Sequence, residues 1–350
     1  MTQPKRRRVE IQERDRDFFA TMFEYGNFIN AQQLTLLFPN PDARLINPRG
    51  VSRQGEEGIK RRLIILKRAG YIGLIGAPYY LYFPTDKAAG ELAAKRRDTW
   101  RLDYLLSQTT KLEKYLETDT EKDFFLRHRQ GINHFHTCLT LALRRPTPAD
   151  WYYDDGLPFW LERKEEKDGK KILSHPIQVD VSSAVIPQYL RKQFPQSYQG
   201  RVRLGRTPDA EFMLMPDKNS DHKIAFIYEY DRGTEDHDVV TAKLFTYYQF
   251  HLNNLHYDLY GTKHLRVLVE SGSRKTDQRL RRMIERLCTA INKPQGSGIF
   301  WFTTSHKIDL DRPQSIFEPI WTIGHEKYWD TLQPLLEYTP SIQANQAVLL

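Results

Sequence analysis

The sequence predicts an α/β protein, α+β when the whole chain is counted. Two patterns carry that reading. The first third holds three helical stretches followed by two short strands, and the last third alternates strand, helix and strand, the order of a mixed sheet flanked by helices. At 350 residues, 40% of them hydrophobic, the chain has material for two cored domains.

The N-terminal helices follow from apolar spacing and punctuation. Ile11 to Tyr25 gathers Phe18, Phe19, Met22 and Phe23 on one side and is expected to end at Gly26. Asn30 is placed to cap a second helix, Ala31 to Phe38, with Leu34, Leu36 and Leu37 apolar. A polar stretch from Pro39 to Gly55 precedes the third helix. There Ile59, Leu63, Leu66 and the neighbouring Ile64 form an apolar stripe, flanked by Lys60, Arg61, Arg62, Lys67 and Arg68. Gly70 closes that helix, and Tyr71 to Ile75 and Tyr79 to Phe83 are strands around Gly76, Ala77 and Pro78.

Three helices and then strand–turn–strand is the order of a winged helix. The stretch RRLIILKRAGYI resembles the third helix and first wing strand of many bacterial winged-helix proteins. The resemblance implies that the third helix enters the major groove of double-stranded DNA, with Lys60, Arg61, Arg62, Lys67 and Arg68 as the DNA-binding set.

Charge points the same way. The net charge is +8, and residues 1 to 110 hold 19 Lys and Arg against 12 Asp and Glu, leaving the remainder nearly neutral. A basic first third suits a polyanion, nucleic acid being the common one. The basic PKRRRV near the start reads as an arm for DNA phosphates rather than an import signal. No apolar stretch follows it as a secretory signal requires, and no run approaches the roughly 18 apolar residues of a membrane span. Cys138 and Cys288 lack metal-ligand spacing and suit a reducing compartment, so a cytoplasmic protein is expected, and the winged-helix resemblance implies a bacterial one. No phosphate-binding loop of the nucleotide-hydrolase type is present.

Asp98 to Arg145 is mostly helical in pattern, ending at Arg145-Pro146. It carries His128, His134 and His136, but no Cys or carboxylate at matching spacing, so a metal site is not expected there. His128 or Asn133 facing a cleft, or simple exposure, are both open. Residues 161 to 175 read as a solvated hairpin or loop.

The stretch RTPDAEFMLMPDKNSDHKIAFIYEYDRGTE carries the chemistry. Asp209 to Met215 and Ile224 to Asp231 are strands, joined by the turn formers of Pro216 to His222. A hairpin symmetric about Asn219 pairs Asp209 with Glu229, with Asp231 on the same face as Glu229. Opposed residues on antiparallel strands lie roughly 4.5–5.5 Å apart at Cα. Carboxylates that close repel, and a hard divalent cation relieves the repulsion. The other solutions are a one-residue register slip that points them apart, or neutralisation by Arg232 or Lys243.

An aspartate after proline, a hairpin and then a glutamate resembles the PD-(D/E)XK nuclease superfamily. More closely, PDAEFML, IYEYDRGTE and AKLFTYY, together with RRLIILKRAGYI and the later FWFTT and IFEPIWTIG, resemble the replication-relaxation family of plasmid and mobile-element proteins. That resemblance spans most of the chain loosely. It implies a winged-helix domain at 1–97, a helical linker at 98–120, a restriction-endonuclease-like domain at 121–335 and a tail at 336–350. It implies Asp209, Glu229, Asp231 and Lys243 as catalytic residues, with Mg²⁺ or Mn²⁺ on Asp209, Glu229 and Asp231. The usual lysine position holds Asp231, and the next residue, Arg232, faces away from Glu229 in a strand. Lys243 on the following helix, sharing a face with Val239 and Tyr247, is the migrated replacement, and Gln249 is a further helix residue near the site. The implied function is DNA binding with a metal-dependent endonuclease or nickase, in concert with protein partners of a replication, mobilisation or transposition complex. The alternative is a non-catalytic DNA-binding factor on the same fold.

Downstream, His264 to Ser271 is a buried strand, and Leu280, Met283, Ile284 and Leu287 form the inner face of an amphipathic helix. Gly298 to Thr304 is another strand. Arg274, Arg279, Arg281 and Arg282 lie near one another, as a DNA contact or as a solvated face.

Overall fold

The structure is a computed structural model, which describes residues 9–24, 28–38, 53–96, 106, 109, 119–143, 152–153, 163–167, 170–174, 177–195, 198–215, 223–272, 276–325, 331–335, 337–338 and 347–348. The expected basic arm, Gly26, the turn Pro216 to His222, Arg145-Pro146, Arg274 and nearly all of the 98–120 linker lie outside these residues. The chain divides into two units, Met1–Leu141 and Ala142–Leu350.

In the first unit, α1 (Glu13–Glu24), β1 (Ile29–Asn30), α2 (Ala31–Leu37) and α3 (Arg53–Arg68) precede β2 (Ile72–Ile75), β3 (Leu81–Pro84) and α4 (Asp86–Arg96). Asn30 caps α2 as its position predicts. Its side chain accepts from the Gln33 backbone N–H at 2.8 Å, and Gln33 accepts from the Asn30 N–H at 3.0 Å, a reciprocal capping box. Gly70 leaves α3 at φ +78, a conformation an L side chain resists, and so turns the chain into β2. Strands β1, β3 and β2 form an antiparallel sheet in that order. β1 escaped the sequence reading because two residues carry no period. Phe18, Phe19, Met22, Leu34, Ile59, Leu63, Leu66 and Ile72 close one core, with Phe19 stacked on Tyr71 at 5.7 Å. Ile64 does not join them. The buried stripe runs through positions 59, 63 and 66, and Ile64 falls a turn-fraction outside it, 45% exposed.

The long helix α5 (Asp119–Leu143) belongs here as far as Leu141, whereas the sequence assigned residues from 121 onward to the second domain. Its packing explains the difference. Asn133 donates to the Phe28 carbonyl at 2.6 Å, Phe125 sits edge-on to Phe28, and Leu126 is buried with Phe28, Ile75 and Leu81. Asn133 is therefore a buried tie and not a cleft residue. His136 is fully buried, and burial pulls its pKa down to about 3, so the ring is neutral.

The second unit is built on a seven-stranded mixed sheet, in the order β14-β13-β12-β11-β10-β9-β4. Its strands are β4 (Tyr152–Tyr153), β9 (Ala210–Met215), β10 (Ile224–Asp231), β11 (His264–Ser271), β12 (Gly296–Thr304), β13 (Pro319–His325) and β14 (Leu332–Pro334). β10, β11 and β12 run parallel, and the outer pairings are antiparallel. Parallel neighbours need long connections, supplied by α6 (His237–Leu252) with the short α7 (Leu255–Tyr260), and by α8 (Thr276–Ala290). Leu280, Met283, Ile284 and Leu287 are buried, as the spacing on α8 predicts. One face of the sheet, through Ala225, Ile227, Val267, Val269, Phe300 and Phe302, shares a core with α6 and α8. A separate antiparallel pair, β7 (Ile177–Ser182) and β8 (Arg201–Arg206), turns Ile177, Val179 and Val181 into the same core. Within the stretch expected as a hairpin or loop, β5 (Arg163–Lys167) pairs antiparallel with β6 (Lys170–Ser174). Among the described residues no helix is long and apolar enough to cross a membrane.

Candidate functional site

The β9–β10 register is the one the turn predicts. Leu214 pairs with Ile224, Phe212 with Phe226 and Ala210 with Tyr228, every pair symmetric about position 219. The ladder ends at the Ala210–Tyr228 pair: β9 begins at Ala210, so Asp209, expected as its first residue opposite Glu229, is the bend residue just before the strand. Asp209 closes the ladder there by accepting the Tyr230 backbone N–H at 2.8 Å.

Strand alternation puts Glu229 and Asp231 on the face covered by α6 and α8. Glu229 is buried, and Lys243 and Tyr247, one turn apart on α6, reach it together. Lys243 Nζ lies 3.3 Å from Oε2, and the Tyr247 hydroxyl donates a short bond to Oε1. Lys243 also reaches Glu235 at 3.4 Å. A small cleft opens over Glu229, Glu235 and Lys243, walled by Val240, Leu244 and Val269.

Burial is the main influence on the Glu229 carboxyl and raises it to about 7. The charge of Asp209 adds to the rise, and Lys243 and the Tyr247 bond oppose it. Lys243 is raised above the usual lysine value, chiefly by the Glu229 charge, so it stays an ammonium at neutral pH. Burial, then Glu229, holds Tyr247 well above an ordinary phenol. A second cation feels the same carboxylates. Arg206, at the end of β8, lies over the Phe194 ring at 5.0 Å and donates to the Gly205 and Gln193 carbonyls at 2.8 and 2.9 Å. Burial lowers its pKa, while Tyr247, Glu229 and Glu235 raise it.

Asp231 lines the same cleft, but its carboxylate is engaged away from Lys243. Arg279 of α8 grips its carboxylate with two bonds, one of them Nη2 to Oδ1 at 2.8 Å, and reaches the Glu235 carbonyl at 2.8 Å. The Gly233 N–H adds a bond to Oδ1 at 3.0 Å. Asp231, expected as a third metal ligand and catalytic group, is instead the pin of the turn after β10. Arg279 correspondingly leaves the exposed arginine cluster, while Arg281 and Arg282 remain exposed. Arg232 bonds Thr234 at 2.9 Å. Gln249 is buried but sits two residues past Tyr247, off the face that meets Glu229. Glu235 and Arg206 were missed. Neither lies at a spacing that ties it to Glu229, although the acidic run after β10 was visible.

In the first unit the five expected DNA-binding residues separate. Arg61, Lys67 and Arg68 are exposed on α3, and Lys60 is half-buried beside Tyr82. Arg62 is turned inward. It donates to Asp15, at 2.8 Å from Nε and by a shorter Nη2 bond, and to the Glu10 carbonyl at 2.8 Å; the Asp15 side chain is fully buried. Arg62 is a structural ion pair and not a phosphate contact.

The chain matches no protein-family model, no curated protein and no solved structure.

The donor chemistry left by the correction of Asp231 is a pair of carboxylates, Asp209 and Glu229. Among the described residues no group of three or more His, Cys, Asp or Glu is gathered for a metal. Mg²⁺ is commonly held through one or two carboxylates, with waters and substrate phosphates completing its shell. The pair fits that minimum, and the push of Asp209 on Glu229 is the repulsion a cation relieves.

Proposed function

We propose that the first unit is a winged helix that binds double-stranded DNA, and that the second cleaves phosphodiester bonds with Mg²⁺ or Mn²⁺. The observation that carries the second half is the meeting of Lys243 with Glu229 at 3.3 Å, at the end of the hairpin where Asp209 accepts the neighbouring Tyr230 N–H. The resemblance to plasmid and mobile-element proteins supports the same reading, as does the basic first third. A bacterial cytoplasmic setting, with partners of a replication, mobilisation or transposition complex, belongs to the proposal.

In this reading Asp209 and Glu229 would hold the cation, which would supply Lewis-acid polarisation of a phosphoryl oxygen and a more acidic water. Lys243, protonated throughout the neutral range, places a fixed positive charge where negative charge develops. Tyr247 fixes the orientation of the Glu229 carboxylate. Arg279, by pinning Asp231 and the Glu235 carbonyl, shapes the turn that brings Glu235 beside Lys243.

The test is relaxation or cutting of supercoiled plasmid with Mg²⁺ or Mn²⁺, comparing wild type with Asp209→Ala. Nicked or linear product that the variant fails to make supports the enzyme. Product made equally by both removes Asp209 from the chemistry.

A second reading rests on a specific observation. Both Glu229 oxygens are already engaged, one by Lys243 and one by Tyr247. A closed pair of that kind suits a DNA-binding protein that keeps the fold as a scaffold. Calorimetric titration with Mg²⁺ separates the two, because only the metal-dependent site loses a binding isotherm on Glu229→Gln.

A further inference from the structure

Helix α3 presents two unlike faces. Ile59, Leu63 and Leu66 are buried. On the opposite side Arg61, Ile64, Ile65 and Arg68 follow one another at i, i+3, i+4 and i+7, the spacing of a single helix face. Ile64 is 45% and Ile65 41% exposed, so two large branched side chains stand in water between two guanidinium groups. Core packing does not account for them.

We infer that Ile64 and Ile65 read thymine methyl groups in the major groove. The inference rests on the reading that the first unit binds duplex DNA. Lys60, Arg61, Lys67 and Arg68 surround the isoleucines on this helix, and a polyanion is the occupant that suits that charge. A helix fits the major groove, where the thymine C5-methyl is the apolar group on the base edges. Exposed isoleucine has nothing to donate or accept, so its recognition there is confined to that methyl. Isoleucine is also stiff at χ1, so little side-chain freedom is lost on docking. Arg61 and Arg68 are seven residues apart, about 10 Å along the helix axis. That length spans about three base-pair steps, so the site is expected to be short, with adjacent thymines flanked by groups the two arginines hold.

The experiment starts from the full-length protein and a pool of random duplex DNA. The duplexes retained are sequenced, and the best is remade with deoxyuridine for each thymine in turn, which removes a methyl and changes nothing else. The expected result is a thymine-containing core in which each critical methyl removed weakens binding about fourfold, the transfer value of one buried carbon. The penalty should vanish in Ile64→Ser with Ile65→Ser. Both positions are exposed, so the variant should melt with the wild type, and the uridine comparison needs no variant at all. Tight, sequence-selective binding that is blind to uridine would overturn the inference while leaving DNA binding intact. Binding without any selected sequence would overturn it as well. Absence of DNA binding would remove the reading beneath it. Self-association lost in the Ile64→Ser, Ile65→Ser variant, with uridine-blind DNA binding, would give the face to a second copy of the chain instead.

Discussion

Lys243 Nζ stands 3.3 Å from Glu229 Oε2, on a helix that begins after the strand carrying the glutamate has ended. The two hold opposite positions in one electrostatic balance. Burial and Asp209 favour the neutral carboxyl, whereas Lys243 and Tyr247 favour the carboxylate. Lys243→Met removes the largest of the opposing influences. The Glu229 carboxyl should then titrate higher than about 7, followed by ¹³C NMR of the labelled side chain. Tyr247→Phe should move it in the same direction. A Glu229 titration unmoved by Lys243→Met would mean that the ammonium does not face the carboxylate in solution. If the site is catalytic, Lys243→Met should also lower the cleavage rate by about 10²–10³, with DNA affinity little changed.

The ion pair under α3 gives a stability prediction. Asp15 is fully buried, and Arg62 supplies its charge partner. Removing one member leaves an uncompensated buried charge, so Arg62→Ala should cost about 3 kcal/mol in urea unfolding. Arg61→Ala, exposed on the other side, should stay within about 0.5 kcal/mol yet weaken DNA binding and lower its salt dependence. Equal stabilities for the two variants would sink the assignment of Arg62 to the interior.

These two arginines mark where the sequence was legible and where it was not. Neighbour-level signals read through: the Asn30 cap, the Gly70 exit, the apolar face of α8 and the β9–β10 register, which the symmetry of one turn determines. The Lys243–Glu229 contact was reachable because the helix follows the strand closely. Arg62 meets Asp15 across 47 residues and Arg279 meets Asp231 across 48. No local period relates such partners, and in the sequence each arginine looked like one more member of a basic patch. The same limit misplaced α5, whose side chains are helical by pattern but whose packing partner, Phe28, lies 105 residues from Asn133.

His136 supplies a pH dependence. Burial alone lowers its pKa to about 3, below the ordinary 6.5 of histidine. Between those values the unfolded chain binds a proton that the folded chain does not, so stability is complete above about pH 6.5 and falls as pH drops toward 3. The slope from this residue is about 1.4 kcal/mol per pH unit, hence about 2 kcal/mol lost between pH 6.5 and 5. Urea titrations at pH 5 and 7.5 should show His136→Leu losing that part of the wild-type slope. Parallel slopes would mean that the ring is solvated or already paired as imidazolium.

The Arg279–Asp231 clasp is expected to control the turn between β10 and α6. Arg279 makes its two carboxylate bonds and holds the Glu235 carbonyl at 2.8 Å, so a single planar group ties both ends of residues 231–235. The Gly233 N–H, bonded to the same carboxylate at 3.0 Å, reports on the turn directly. Arg279→Ala should destabilise by about 3–5 kcal/mol, because Asp231 is buried and loses its counter-charge. Arg279→Lys keeps a charge but not the fork, and cannot bond the carboxylate and the carbonyl in one fixed geometry. It should therefore recover part of the stability while leaving Gly233 hydrogen exchange accelerated relative to wild type. The two readouts separate charge from geometry. A lysine variant with wild-type protection at Gly233 would show that neutralising Asp231 alone orders the turn, and that the two-point grip is incidental to how Glu235 reaches Lys243.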